Sequence, residues 1–153
     1  MANEIRTKRD AVASFTITLA SLANAAARQS TMVTNSTDRP GMLVQLKIES
    51  GGSAPTAGAV YEVFLISGNG SGYRSDNAGA SDAAITIENA KMIGAIVVTA
   101  TTNKNFYGDF DTAPLGRLDE EFGIAVLNSS GQALNATEGN HTKQYETYLD
   151  EIQ

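Results

Sequence analysis

The feature that most constrains this chain is a hydrophobic period of two broken at short intervals by turn-forming clusters. Met42, Val44, Leu46 and Ile48 alternate with Leu43, Gln45, Lys47 and Glu49, the pattern of a strand with one buried and one mostly wet face. Ser14–Leu19 repeats it, with Phe15, Ile17 and Leu19 on one side and hydroxyls on the other. Val60–Ile66 and Met92–Thr99 are apolar almost throughout, which predicts central strands covered on both faces. Shorter strands are predicted at Ala84–Glu88, Phe106–Phe110, Phe122–Leu127 and Lys143–Leu149, with Thr31–Asn35 as an added edge. Between them lie Asp38-Arg39-Pro40-Gly41, Gly51-Gly52-Ser53-Ala54-Pro55, Gly68-Asn69-Gly70-Ser71-Gly72, Asn128-Ser129-Ser130-Gly131 and Glu138-Gly139-Asn140. Gly supplies positive φ there, and Asn and Asp fold back on their own backbone. Eight or nine such strands predict an all-β protein, an antiparallel β-sandwich with a jelly roll as the leading variant. Ser21–Gln29 has alanine-rich, helical composition but carries Asn24 and is flanked by strand-like residues. It reads either as one helical turn or as an extended small-residue surface.

At 153 residues the chain is of single-domain length, and a core of that size buries about two-thirds of the unfolded surface without disulfides or metal. Residues 1–12 read as an N-terminal arm and 13–153 as one β-sandwich domain. The absence of cysteine excludes thiolate metal and redox sites, and a single histidine, His141, excludes schemes needing two imidazoles. A net charge of −6 argues against nucleic acid as a partner. No run approaches the length of a membrane helix, and MANEIRTKRD is not followed by an apolar signal core, so synthesis in the cytoplasm is expected. The Asn-x-Ser/Thr triplets at Asn35, Asn69, Asn128, Asn135 and Asn140 read as chance.

Few residues suggest chemistry. The Gly68–Gly72 loop lacks the Gly-Lys-Ser/Thr ending of a phosphate cradle and reads as a hairpin tip. Asp109, Asp111 and the Asp119-Glu120-Glu121 run lack calcium-loop spacing and read as a solvated acidic edge. As a glycosidase pair they would lack the aromatic cleft such enzymes use. No Gly-x-Ser-x-Gly elbow offers His141 a nucleophile, so it reads as an exposed or interface histidine. No metal, cofactor or catalysis is expected. Phe106 and Phe110 read as core, and of Tyr145 and Tyr148, on opposite faces of a strand, one should face outward. Tyr73 is an exposed loop ring and a candidate ligand contact. Arg6, Lys8 and Arg9 cluster in the arm and suit an acidic partner surface.

Ile17-Thr18-Leu19-Ala20-Ser21-Leu22-Ala23-Asn24, followed by Arg28-Gln29-Ser30, resembles small virion structural proteins of tailed bacteriophages. In these a strand ending in Leu-Ala-Ser-Leu-Ala leads through a Gly- or Ala-rich turn to Arg-Gln-Ser. Leu43–Ile48, Arg74-Ser75-Asp76 with Ala80-Ser81-Asp82, and Phe122–Val126 running to Ala133–Thr137 extend the likeness over most of the chain from residue 14. Where the family has Gly in the first turn, this chain has Ala25, Ala26 and Ala27. The resemblance implies a jelly-roll-like capsid decoration, or cement, protein, commonly a homotrimer, on the capsid exterior with the major capsid protein as partner. Residues 1–10, through Arg6, Lys8 and Arg9, would contact the capsid. The segment carrying Leu22, Asn24, Ala26 and Arg28, or an adjacent strand edge, would lie at the oligomer seam. The alternative expectation is a receptor- or carbohydrate-binding module of a phage head or tail fibre, using Tyr73.

Overall fold

The structure, a computed structural model, describes residues 5–152. Among these residues there are eleven strands: β1 (Ile5–Arg9), β2 (Ala13–Ser14), β3 (Ala27–Gln29), β4 (Val33–Thr34), β5 (Gly41–Glu49), β6 (Val60–Gly68), β7 (Ala83–Ile85), β8 (Lys91–Val97), β9 (Asn105–Asp111), β10 (Glu121–Ser129) and β11 (Thr142–Ile152). The protein is all-β, two antiparallel sheets packed face to face. One sheet has the order β1-β11-β5-β9, with β2 also on β11; the other has β7-β3-β10-β6-β8, with β4 also on β10.

The pairings are nested. β11 returns to β1 and β2, β10 to β3 and β4, β9 to β5, and β8 to β6. This is one long antiparallel ribbon whose innermost hairpin is β6–β8. Rolling it brings β11 against β5 and β10 against β6, which gives the strand order of a jelly roll. The short β7 is an insertion on β3. The far edges also meet: the Phe110 ring lies over Gly94 and Gly108, where a Cβ would stand 2.3 and 2.6 Å from ring carbons. Only glycine at both positions admits the ring.

Alternation carries the core. Met42, Val44, Leu46 and Ile48 of β5 face Tyr61, Val63 and Leu65 of β6 and Phe122, Ile124 and Val126 of β10, all essentially without solvent exposure. Each such side chain contributes about 1.5–3 kcal/mol on burial. The apolar run of β6 has the second reason predicted for it. Its outward Phe64 and Ile66 are covered by the 75–90 excursion through Ala78, Ile85 and Ile87.

Two strand expectations change. β8 is an edge strand, so Met92 and Val97 remain 46% and 64% exposed instead of being covered on both faces. Phe15, Ile17 and Leu19 alternate with exposed Thr16 and Thr18 as predicted, yet only Ala13–Ser14 enters a ladder. The segment crosses between sheets: the Phe15 amide donates to the carbonyl of Lys143 in the first, while the Thr16 carbonyl accepts from Thr31 beside the second.

Ser21–Gln29 forms no helix. Two turns, with Ser21 and Ala25 at φ 56° and 61°, lead into β3, and the Asn24 side chain accepts the Gly131 amide. Tertiary hydrogen bonds override alanine's propensity. Ala25 thus occupies, at a cost of about 1–2 kcal/mol, the left-handed conformation that glycine adopts freely. Ala25→Gly is expected to raise stability by about 0.5–1 kcal/mol, the relieved strain less the added unfolded-state entropy. Denaturant melts of the two proteins check this, and a lower midpoint for the variant would refute it.

Candidate functional site

Nine-residue strands β5, β6 and β10 span about 30 Å and separate two poles. One pole carries the loops around 35–40, 69–82 and 112–120, together with β1 and the end of β11. The other carries the loops around 50–59, 98–104 and 130–141. The residues implied in capsid contact fall at the first pole, and Leu22, Asn24 and Ala26 of those implied in oligomerisation at the second; Arg28 lies mid-strand, opposite Val126.

Arg6, Lys8 and Arg9 lie in a strand. β5 ends at Gly41, opposite Tyr148, so Leu149–Ile152 pair only with β1 and form a two-stranded ribbon projecting from the first sheet. Every residue of Ile5–Arg9 is exposed. The cations face acids of β11: Lys8 Nζ is 3.2 Å from Glu151 Oε1, Arg9 is 3.7 Å from Glu146, and Arg6 stands opposite Glu151 in register. Thr7 Oγ1 donates to Asp150 at 2.7 Å. Exposed pairs of this kind are worth at most about 1 kcal/mol each. They do guard an open strand edge, since like charges oppose self-pairing. Residues 1–4 of the sequence-predicted arm lie outside the described residues.

Leu22, Asn24 and Ala26 at the opposite pole, and Arg28 in the middle of the second sheet, are tied to their own chain. The Leu22 carbonyl accepts from Asn128 Nδ2 at 2.9 Å and the Leu134 amide at 3.1 Å; Asn24 Oδ1 accepts the Gly131 amide at 2.7 Å; the Ala26 carbonyl accepts the Asn128 amide at 3.0 Å. Arg28 Nε donates to Asp82 at 2.5 Å. Ala23, Asn24 and Ala25 remain exposed, a small-residue tip at that pole.

Tyr73 is exposed, 67% of its surface reaching solvent, as predicted. Asn69 Oδ1 accepts the Ser71 and Tyr73 amides and shapes the hairpin tip. Beside it lies a groove of about 520 Å³. Of the five charged residues lining it, three are engaged within the chain: Arg74 pairs with Glu121 at 2.8 Å, Asp76 accepts the Ala90 amide at 2.8 Å, and Lys91 Nζ donates to the Leu115 carbonyl at 3.1 Å. Among the described residues no three His, Asp or Glu side chains gather to hold a metal. Asp109 and Asp111 share the outer face of β9. Tyr148 is the outward one of its pair, donating to Asp111 at 2.6 Å, while Tyr145 stacks inward on Phe15.

The ionisable groups with shifted protonation are structural. His141, expected at the surface, is buried, because its ring fills the space between Glu49 and Asn135. Nδ1 accepts the Glu49 amide at 3.3 Å and Nε2 donates to the Asn135 carbonyl at 3.1 Å, which defines a neutral ring. Burial holds its pKa below 6.5. Burial would raise the carboxyls of Asp82 and Glu138, but hydrogen bonds outweigh it and both lie below the usual range. Arg28 and Thr18 donate to Asp82; Lys143 and the amides of Leu19 and Ala20 donate to Glu138. Asp10 is lowered by the Thr147 hydroxyl, against the opposing effect of burial, and then by Arg39. Sequence reading missed these clips, whose partners lie up to 137 residues apart.

Comparison with known proteins finds no matching family model and no matching curated protein.

The shifts of His141, Asp82, Glu138 and Asp10 have one sign. Depressed carboxyl values give stability that is present above the unfolded pKa and lost as pH falls through the folded one, and a neutral buried imidazole also favours higher pH. The melting temperature should therefore fall once on descending through the imidazole range below pH 6.5 and again below about pH 4. Glu138→Gln should cost about 1–2 kcal/mol at pH 7 and flatten the second step. Thermal melts from pH 8 to 3 read both effects, and a second step unchanged in the variant would remove Glu138 from the account.

Proposed function

We propose that the protein is a non-enzymatic virion structural protein that decorates and stabilises a bacteriophage capsid by bridging neighbouring major-capsid subunits. It acts on the capsid exterior as a homotrimer and is made in the host cytoplasm. The observation that carries this reading is the separation of two presentable surfaces by a rigid, nested sandwich. An open-edged ribbon projects at one pole, and a tip of small residues is exposed at the other. A bridging protein needs two such surfaces held at a fixed distance, and closed symmetric assembly covers strand edges that would otherwise aggregate. The sequence likeness to small phage virion proteins supports the same reading. The function is mechanical: a ligand that binds only the assembled shell stabilises it by mass action.

The receptor- or carbohydrate-binding reading at Tyr73 ranks behind it, because both cations of that groove, Arg74 and Lys91, are engaged within the chain.

Cosedimentation with expanded, decoration-free heads tests the proposal. Saturation at a copy number matching the lattice three-folds, with raised heat resistance of the heads, is the expected result. Removing residues 1–9 should weaken attachment at least tenfold while the sandwich still melts cooperatively. Failure of the intact protein to bind heads would overturn the reading.

A further inference from the structure

The two sheets differ in what covers their outer faces. The second carries the 75–90 excursion, whereas the outward residues in the middle of the first stay exposed or half-exposed. The strand register arranges these residues as a grid. Thr142, Lys47 and Tyr107 form one cross-strand row, and Gln144, Gln45 and Asp109 the next. A cavity of about 370 Å³ lies on these two rows. That is within the lower range of small-ligand pockets.

We propose that this platform is a carbohydrate-binding site for neutral oligosaccharides. Three observations carry the proposal. Tyr107 is 71% exposed on a rigid strand, so its ring offers a flat apolar surface to the C–H face of a pyranose. Beside it in the second row, the Gln45 and Gln144 side-chain amides and the Asp109 carboxylate make no hydrogen bond among the described residues. Together they supply donors and acceptors at the spacing of adjacent strands. Finally, Lys47 and Asp109 cancel in charge within the cavity, and of the next row Glu146 is paired with Arg9 while Asp111 adds a negative charge, so the platform offers no spare cation to an acidic sugar.

The contrast with the Tyr73 groove is one of readiness. There both cations and Asp76 serve the fold; here polar groups on rigid strands are oriented and unused, the condition for binding without reorganisation. A protein partner would find little apolar surface, since Leu43 and the Tyr107 ring are the platform's apolar contribution, and interface cores are apolar and poor in charge.

An array of neutral and acidic oligosaccharides, followed by titration calorimetry with each neutral hit, tests this. Binding to neutral hexose-containing oligosaccharides is expected, at least tenfold weaker in Tyr107→Ala and in Gln144→Ala and unchanged in Tyr73→Ala. All these side chains are at the surface, and an unchanged melting temperature verifies that the variants fold. No binding on the array at millimolar sugar, or binding indifferent to Tyr107→Ala, overturns the proposal. Cosedimentation of the same variants with heads keeps the two functions apart. Tyr107→Ala should bind heads as the parent does, and a loss of head binding without any sugar binding would make the platform a protein-contact face.

Discussion

The contact on which the rest of the structure depends is the meeting of Phe15, Tyr145 and Phe122. Phe15 and Tyr145 lie 4.4 Å apart between ring centroids, and Phe122 stands edge-on to both, at 6.5 and 5.6 Å. Such pairs add about 0.5–1.5 kcal/mol each beyond the area they bury. Their position matters more. Tyr145 belongs to the first sheet, Phe122 to the second, and Phe15 to the chain that crosses between them. With Phe15 held, Ile17 and Leu19 follow into the core and Thr18, Leu19 and Ala20 reach the carboxylates of Asp82 and Glu138. The crossing has no ladder of its own beyond Ser14, so side-chain carboxylates supply the acceptors that a neighbouring strand would otherwise provide.

Much of this architecture was legible in the sequence because it is written in period two. β5 was readable residue by residue, and the apolar run of β6 correctly implied cover on both faces. The similar run in β8 did not, because being at an edge is a property of strand order and composition carries no record of it. The alternation at Phe15–Leu19 told which residues are buried but not that the backbone would lack a strand partner. Alanine content at residues 21–29 carried an ambiguity that was settled from outside, by Asn128, Gly131 and Leu134.

The candidate sites divide in the same way. Tyr73 was visible from its glycine-rich loop, since exposure there is local. The burial of His141 was not, because it depends on Glu49, 92 residues distant. Arg6, Lys8 and Arg9 read as a cluster of one sign, while their acidic counterparts Glu146, Asp150 and Glu151 lie at the other end of the chain. Only strand register brings the two groups together. The outer face of the first sheet became distinctive only when its partner sheet was seen to be covered.

Pairing β1 with the last residues of β11 gives the molecule a direction of mechanical weakness. Residues 5 and 152 are opposite one another in an antiparallel ladder that leads into the body of the sheet. Tension applied between them opens the ribbon like a zip, one pair of backbone hydrogen bonds at a time. Tension between residue 152 and the opposite pole loads many bonds of β11 together, in shear. The same fold is therefore compliant along one line of pull and stiff along another, and the way it is tethered decides which response it gives.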